Sequence, residues 1–293
     1  MKDWKRYVTG LLLIPIVIGI VYYLPERMFT YLIMGVSFLA LTEYTRMFKE
    51  KKQHLFLPTL IIMLLMIEAM SNLGFLSNLR NISVEEIQKE LMLFNGLKSI
   101  SWFFITIIVA VVLIPTLSLL GKDSLEEKFK SMMIYLSGFF YFGLTFGLFS
   151  LIRGHGNNYH WLTFALAVPW ICDTAAYFGG RFLGKHKFAP KISPNKTWEG
   201  AISGVVFSTI AGILFALFLL KSENLIHVGI VALFIGILGQ TGDLVESLLK
   251  RAAGVKDSGN VFPGHGGILD RTDSLLMSVS VIYIFFLIKS YAS

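Results

Sequence analysis

Residues 247–273 read SLLKRAAGVKDSGNVFPGHGGILDRTD, a stretch that places seven charges and five glycines between two segments apolar enough to cross a bilayer. Helices of that kind leave their charged connection at the membrane surface, so this stretch predicts a helix, a polar loop and a second helix on one membrane face. Lys250, Arg251, Lys256 and Arg271 supply cationic donors, Asp257, Asp270 and Asp273 supply carboxylates, and Pro263-Gly264-His265-Gly266-Gly267 supplies backbone that a ligand can approach closely. Phosphate together with a metal ion is the cargo such a loop suits.

The rest of the chain agrees with a membrane setting. Of its 293 residues, 55% are hydrophobic and only 15% charged, and the mean hydropathy is +0.67. That is too apolar for an ordinary globular protein. The net charge of +7 comes from basic residues in short loops; they form no long arm and no nucleic-acid module, so no nucleic-acid partner is expected. Cys172, the single cysteine, has no partner for a disulfide or a cysteine metal site and reads as small apolar packing. The N-terminal apolar run is longer than a signal-peptide core and leads straight into further spanning segments, so it reads as a first helix.

At about 20 residues per crossing, the apolar runs predict an all-α polytopic membrane protein of about nine transmembrane helices. They lie near 7–24, 28–48, 54–74, 99–120, 131–152, 160–179, 199–220, 226–249 and 272–291. Residues 1–120 form N-terminal helices, and 121–293 form a C-terminal catalytic region. Between the third and fourth helices, Ser83 and Glu86 have capping-box spacing, and Val84, Ile87 and Leu91 recur on one face. An interfacial amphipathic helix over 83–94 is therefore expected. Of the 26 Lys and Arg, 17 fall in the even-numbered loops and the C-terminal end. The positive-inside bias puts these in the cytoplasm, in a cytoplasmic (inner) membrane, with the polar site facing the cytoplasm and the N-terminus outside.

Four groups of residues carry chemistry. Asp173 sits deep in WLTFALAVPWICDTAAYFGG, where a carboxylate costs several kcal/mol unless paired, hydrated or metal-bound, and Tyr177 shares its face one turn on. Asp243, Glu246, Ser247 and Lys250 stand at i, i+3, i+4 and i+7 on one stripe. A Glu246–Lys250 pair explains Glu246 by itself, but not Asp243. Asp270 and Asp273 open the last helix behind the glycine loop; one acid suffices for a cap, so a metal or substrate role is open to the other. His265 suits acid–base or phosphate contact, or a simple backbone bond. Between helices six and seven, GGRFLGKHKFAPKISPNKTWE offers five basic residues with Ser193, Asn195 and Thr197 as an anion-binding lip. Its partial likeness to a P-loop fails, because His186 stands where the magnesium-binding hydroxyl belongs and a membrane helix precedes it in place of a strand.

These residues resemble a known family. Ser247-x-x-Lys250-Arg251, then Lys256-Asp257, then Pro263-x-His265-Gly266-Gly267-x-x-Asp270-Arg271-x-Asp273 is similar to the C-terminal signature of the phosphatidate cytidylyltransferases, or CDP-diacylglycerol synthases. Asp173-Thr174-x-Ala176-Tyr177 and Ser193-Pro194-x-Lys196-Thr197-x-Glu199-Gly200 resemble that family's other recurrent segments. The resemblance covers roughly residues 161–275 and implies a magnesium-dependent membrane enzyme. Such an enzyme joins CTP to phosphatidic acid, giving CDP-diacylglycerol and pyrophosphate.

On that basis Asp243 and Asp270 are expected as the main metal ligands, with Asp173 and Asp273 as further candidates, for one Mg2+ and a second ion where two bind. Asp243, Asp270, Lys250, Arg271 and Asp273 are the expected catalytic set. Ser193, Asn195, Lys196, Ser247, Arg251, Lys256, His265, Gly266, Gly267, Asp173 and Tyr177 are expected around the substrates, and a homodimer is an admissible assembly. A CTP-dependent polyprenol kinase, a cytidylyltransferase for another lipid phosphate, and an ion or solute transporter are the rival readings. The kinase would release CDP in place of pyrophosphate, and a transporter leaves the cationic glycine loop unexplained.

The charge bias yields a topological prediction. With Cys172 replaced, a cysteine introduced into the 182–196 loop is expected to resist an impermeant thiol reagent in intact cells and to react after permeabilisation. Labelling in intact cells would reverse the orientation.

Overall fold

The computed structural model describes residues 14–50, 52–79, 86–154, 158–221, 223–259, 261 and 266–292. Helix α1 covers Ile14–Tyr23, α2 Glu26–Met47, α3 Gln53–Leu79, α4 Glu86–Ser118 and α5 Leu125–Gly138. A π-helical turn, Phe139–Leu144, joins α5 to α6, Thr145–Gly154. Then come α7 (Tyr159–Leu183), strands β1 (Lys187–Ala189) and β2 (Ser193–Thr197), α8 (Trp198–Leu219), α9 (Leu225–Ala252) and α10 (Leu269–Ala292). Among the described residues eight segments are long and apolar enough to span a membrane. They correspond to the second to ninth predicted helices, so the chain is a multi-pass membrane protein. The described part of α1, Ile14–Tyr23, is shorter than a full crossing, and the start of the predicted first helix lies outside the described residues.

The expected interfacial helix takes a different form. From Glu86 onward the segment is the first part of α4, continuous with the fourth span to Ser118. Pro115, near its end, is the proline within it, so nothing in between breaks the backbone ladder. Residues 83–85 lie outside the described residues.

The chain packs as two units, residues 7–158 and 159–293. The sequence-based boundary at 120 differs, because the span Leu125–Gly154 packs with the N-terminal helices. Its Gly143 and Gly147 lie against Met63, Met66 and Met70 of α3, where a Cβ would collide with methionine side chains. Tyr44 shares a 2.8 Å hydrogen bond with Ser137, and Tyr135 donates to the Lys52 carbonyl at 3.1 Å. These satisfied polar groups tie α2 and the α2–α3 turn to α5.

In the second unit α8 packs between α7 and α9. Its buried positions are Gly200, Gly204, Ser208, Gly212 and Ala216, one small residue per turn. A Cβ on Gly200 would stand 2.7 Å from the Ala176 carbonyl and 3.0 Å from the Gly180 Cα, and one on Gly204 would meet the Cys172 carbonyl at 2.9 Å. Backbones approach that closely only over small residues, which is the means of helix association in lipid, where burial of apolar surface gives little. The same device recurs on α9. Gly236 faces Val205 and Ser208 of α8, and a Cβ on Gly242 would lie 2.6 Å from the Asp273 carbonyl of α10. Ser278 of α10 donates to the Ala165 carbonyl of α7 at 2.5 Å, closing the ring of four helices.

Gly200→Ala is therefore expected to lower the melting temperature of the detergent-solubilised protein by several degrees, equivalent to about 1–3 kcal/mol of overpacking. Gly35→Ala, where an added Cβ meets nothing within 4 Å, should leave stability unchanged or slightly raised. Equal melting temperatures for both variants would contradict the close-approach account.

Candidate active site

The C-terminal ends of α7 and α9, the hairpin β1–β2, and the N-terminal ends of α8 and α10 belong to one end of the second unit. The hairpin is antiparallel, pairing Lys187 with Thr197 and Ala189 with Ser193, and β2 runs directly into α8. Thr197 caps that helix by accepting from the Gly200 amide at 3.2 Å. Glu199, in the first turn, accepts from the Lys185 amide at 3.1 Å and the His186 amide at 3.2 Å, and its Oε1 lies 2.6 Å from His186 Nδ1. One carboxylate thus clasps the end of α7 and the start of β1 to α8. From the other side Arg251 donates to the Ile192 carbonyl at 3.4 Å and the Val255 carbonyl at 3.0 Å.

The clasped hairpin delivers Lys196, whose ammonium lies 2.7 Å from Asp243 Oδ2 on α9. Ser247, one turn along, donates to Asp243 Oδ1 at 3.4 Å. Asp243, Glu246 and Asp273 place carboxylate oxygens within 4.8 Å of one another. The approach of α10 over Gly242 makes this meeting geometrically available. Three acids in that space repel unless cations stand among them, and Lys196 and Lys250 are the lysines in contact. Lys250 pairs with Glu246 one turn back and with Asp270 Oδ1 at 2.6 Å. Glu246 is 3% exposed, and its Oε1 is buried and accepts no hydrogen bond. A buried carboxylate oxygen left in that state suits a hard cation, which takes oxygen ligands from several carboxylates. The residues therefore fit a divalent metal.

Asp270 stands differently. Its Oδ2 accepts from the Gly267 amide at 2.8 Å, the Ser258 amide at 3.1 Å and the Ser258 hydroxyl at 2.9 Å, while Oδ1 receives Lys250. Gly266 has φ +80°, and a Cβ there would strike the Asp270 carboxylate, so the loop returns this tightly only through glycine. The structure thus joins Asp273 and Glu246 to Asp243, and gives Asp270 to Lys250 and the glycine loop. Asp270 still adjoins the acidic group, because Lys250 is shared.

Asp173 of α7 lies within electrostatic range of Asp243, Lys196 and Arg271. Arg271, Lys256, Arg251, Asn195 and Tyr177 are exposed at this end of the unit, and Ser193 is half-buried. His265 lies outside the described residues. Two features were not anticipated from sequence. The hairpin hid behind two prolines and strands of three and five residues, and Glu199, though part of the family-like segment, gave no sign of its clasp on the Lys185 and His186 amides. Glu246 was visible through its i+3 spacing from Asp243, but its pairing with Lys250 accounted for it.

Residues 4–289 of the chain match the cytidylyltransferase family. The chain belongs to that family. Over 150 residues it is 45% identical to the phosphatidate cytidylyltransferase of Brucella suis biovar 1 (strain 1330), an alignment covering 51% of this chain and 55% of that one. It is 46% identical over 144 residues to the phosphatidate cytidylyltransferase of Staphylococcus haemolyticus (strain JCSC1435), covering 49% and 55%. It is 41% identical over 177 residues to that of Bacillus subtilis (strain 168), covering 59% and 64%. These alignments span between 55% and 64% of the length of each relative.

Metal affinity separates the acids. Glu246→Gln and Asp243→Asn are each expected to weaken Mn2+ binding, read by electron paramagnetic resonance on purified protein, by about tenfold or more. Asp270→Asn should weaken it less, since its oxygens are engaged by Lys250, Ser258 and Gly267. Undiminished Mn2+ binding in Glu246→Gln would remove Glu246 from the metal set.

Proposed function

We propose that this chain is a phosphatidate cytidylyltransferase, moving the cytidylyl group of CTP onto the phosphate of phosphatidic acid and releasing pyrophosphate. The observation that carries this reading is the convergence of Asp243, Glu246 and Asp273 with Lys196 at one membrane end of the bundle, beside a cationic glycine loop. Membership of the cytidylyltransferase family supports it, as do the names of the relatives. A phosphate oxygen of phosphatidate attacks the α-phosphorus of CTP; the bond from that phosphorus to the bridging oxygen of the β-phosphate breaks, and its electron pair leaves with pyrophosphate. No covalent nucleophile is required.

Two polyanions must meet, and that sets the work of the residues. Asp243, Glu246 and Asp273 would hold Mg2+, with Asp173 as a further ligand where a second ion binds, and the bound ion would supply charge neutralisation for the meeting polyanions. Lys196 and Arg271 bind phosphate oxygens, with Arg251 and Lys256 nearer the rim. Lys250 is held by Asp270 and Glu246, so its ammonium reaches the site in a fixed position. Asp270, bound to two amides and a hydroxyl, positions the Gly266–Gly267 backbone against the nucleotide. Ser193, Asn195, Ser247 and Tyr177 complete the polar lining. The site faces the cytoplasm from a cytoplasmic membrane, on the side where CTP is found, and nothing in it calls for nucleic acid.

Purified protein given Mg2+, labelled CTP and phosphatidate is expected to form CDP-diacylglycerol and pyrophosphate in equal amounts. Formation of CDP from an alcohol acceptor would establish the kinase instead. Arg271→Lys should reduce kcat/KM by about tenfold or more, because an ammonium keeps the charge but loses the planar two-pronged grip on phosphate. Unchanged kinetics in that variant would exclude Arg271 from the phosphate contacts.

A further inference from the structure

The C-terminal half of α7 has two faces of different character. Ala176, Gly179 and Gly180 pack on α8, where an added Cβ on either glycine would meet Ser203 or Thr197. The other side is exposed and carries Asp173, Tyr177 and Arg181 at i, i+4 and i+8. At 1.5 Å of rise per residue these form a polar line about 12 Å long. Arg181 Nη1 donates to the Tyr177 hydroxyl at 3.4 Å. Beside it runs an apolar line, Phe178 and Phe182, whose rings stack at 6.2 Å and 8° and are 49% and 75% exposed.

The whole line belongs to the membrane-spanning segment Tyr159–Leu183. An arginine at the membrane end of a helix is ordinary positive-inside charge. That does not account for Asp173 two turns deeper, or for the tyrosine aligned between them, because polar groups facing lipid are costly without a polar companion. At its deep end the line meets the site, since Asp173 is within electrostatic range of Asp243, Lys196 and Arg271. An amphiphile satisfies both lines at once: its anionic head follows Arg181 and Tyr177 inward, while its chains stay against Phe178, Phe182 and the surrounding hydrocarbon. A phosphomonoester head suits Arg181 best, because it offers two oxygens to one guanidinium.

We propose that this exposed face of α7 is the track by which the lipid phosphate acceptor reaches the active site, with Arg181 making the first contact with its phosphate and Tyr177 the second. This rests on the lipid-acceptor reading above. Arg181 acts in acceptor recognition, before any chemistry.

The test uses the full chain in mixed micelles with phosphatidylcholine as diluent, varying the mole fraction of phosphatidate at saturating CTP and then CTP at saturating phosphatidate. Arg181→Ala is expected to raise the apparent KM for phosphatidate about fivefold or more, as for one lost charge-assisted contact, with the KM for CTP within twofold of the parent. Tyr177→Phe should raise the lipid KM less, and Arg181→Lys should fall between Arg181→Ala and the parent. Should Arg181→Ala fail to fold, Arg181→Lys and Tyr177→Phe carry the comparison. Binding of fluorescent phosphatidate and fluorescent diacylglycerol in nanodiscs gives a readout without turnover, and only the first should weaken.

An unchanged lipid KM and unchanged phosphatidate binding would overturn the proposal. A rise confined to the KM for CTP would assign Arg181 to the nucleotide and overturn it too. Loss of self-association with unaltered lipid kinetics would make this face a contact between copies of the chain, which also overturns it. A parent protein that binds phosphatidate through Arg181 yet forms no CDP-diacylglycerol would refute the proposed reaction while leaving the track standing.

Discussion

The close approach of helix backbones over small residues is the constraint on which the second unit depends. In a bilayer the apolar flanks of α7, α8, α9 and α10 gain little by leaving lipid for protein, so contact must come from packing and internal hydrogen bonds. Gly200 and Gly204 admit α7, Gly236 admits α8 to α9, and Gly242 admits α10. Gln240, buried below the site, donates to the Ala201 and Gly236 carbonyls at 3.1 and 3.2 Å, joining α8 to α9 through a satisfied polar group. This packing sets the distance between Asp243 and Asp273, residues that share no helix.

On that frame the site gathers more negative charge than separate acids would tolerate, with lysines placed among them. Lys196 arrives from a hairpin clasped by Glu199 and Arg251, and Lys250 from within α9. Each lysine is spoken for by a carboxylate in this arrangement, Lys196 by Asp243 and Lys250 by Glu246 and Asp270. In the proposed reaction a substrate triphosphate would compete for the same ammonium groups as a metal occupied the acids, so binding would exchange one set of ion pairs for another. That exchange keeps the polar centre compensated at each stage, which matters where desolvated charge is expensive.

Asp270 illustrates how a single side chain can serve geometry and electrostatics together. Its two oxygens collect a lysine, a hydroxyl and two amides, and Gly266 at φ +80° brings the loop to it. The glycine loop is thereby held by the helix it precedes. The N-terminal unit follows a related economy, with methionines of α3 filling the space that Gly143 and Gly147 leave open, as flexible thioethers do in irregular cores.

The sequence by itself determined the membrane-spanning class, the position of eight spans to within a few residues, and the region where charge gathers. Each is set by local composition: apolar runs of bilayer length, and polar residues at helical spacing that has no use in lipid. Lys250 and Asp243 were readable as members of a polar centre for the same reason, and Lys196 from the basic residues gathered in the loop between the sixth and seventh helices. Tertiary structure decided which acids meet. Asp243 and Asp270 looked equivalent along the chain, but the turn through Gly266 sends Asp270 to Lys250 and Ser258, while the crossing of α10 over Gly242 brings Asp273 beside Asp243 and Glu246. The hairpin and the Glu199 clasp were also invisible beforehand, since strands this short take their shape from the helices they bridge. Such choices depend on interhelical distances fixed by contacts far apart in sequence, and no local pattern encodes them.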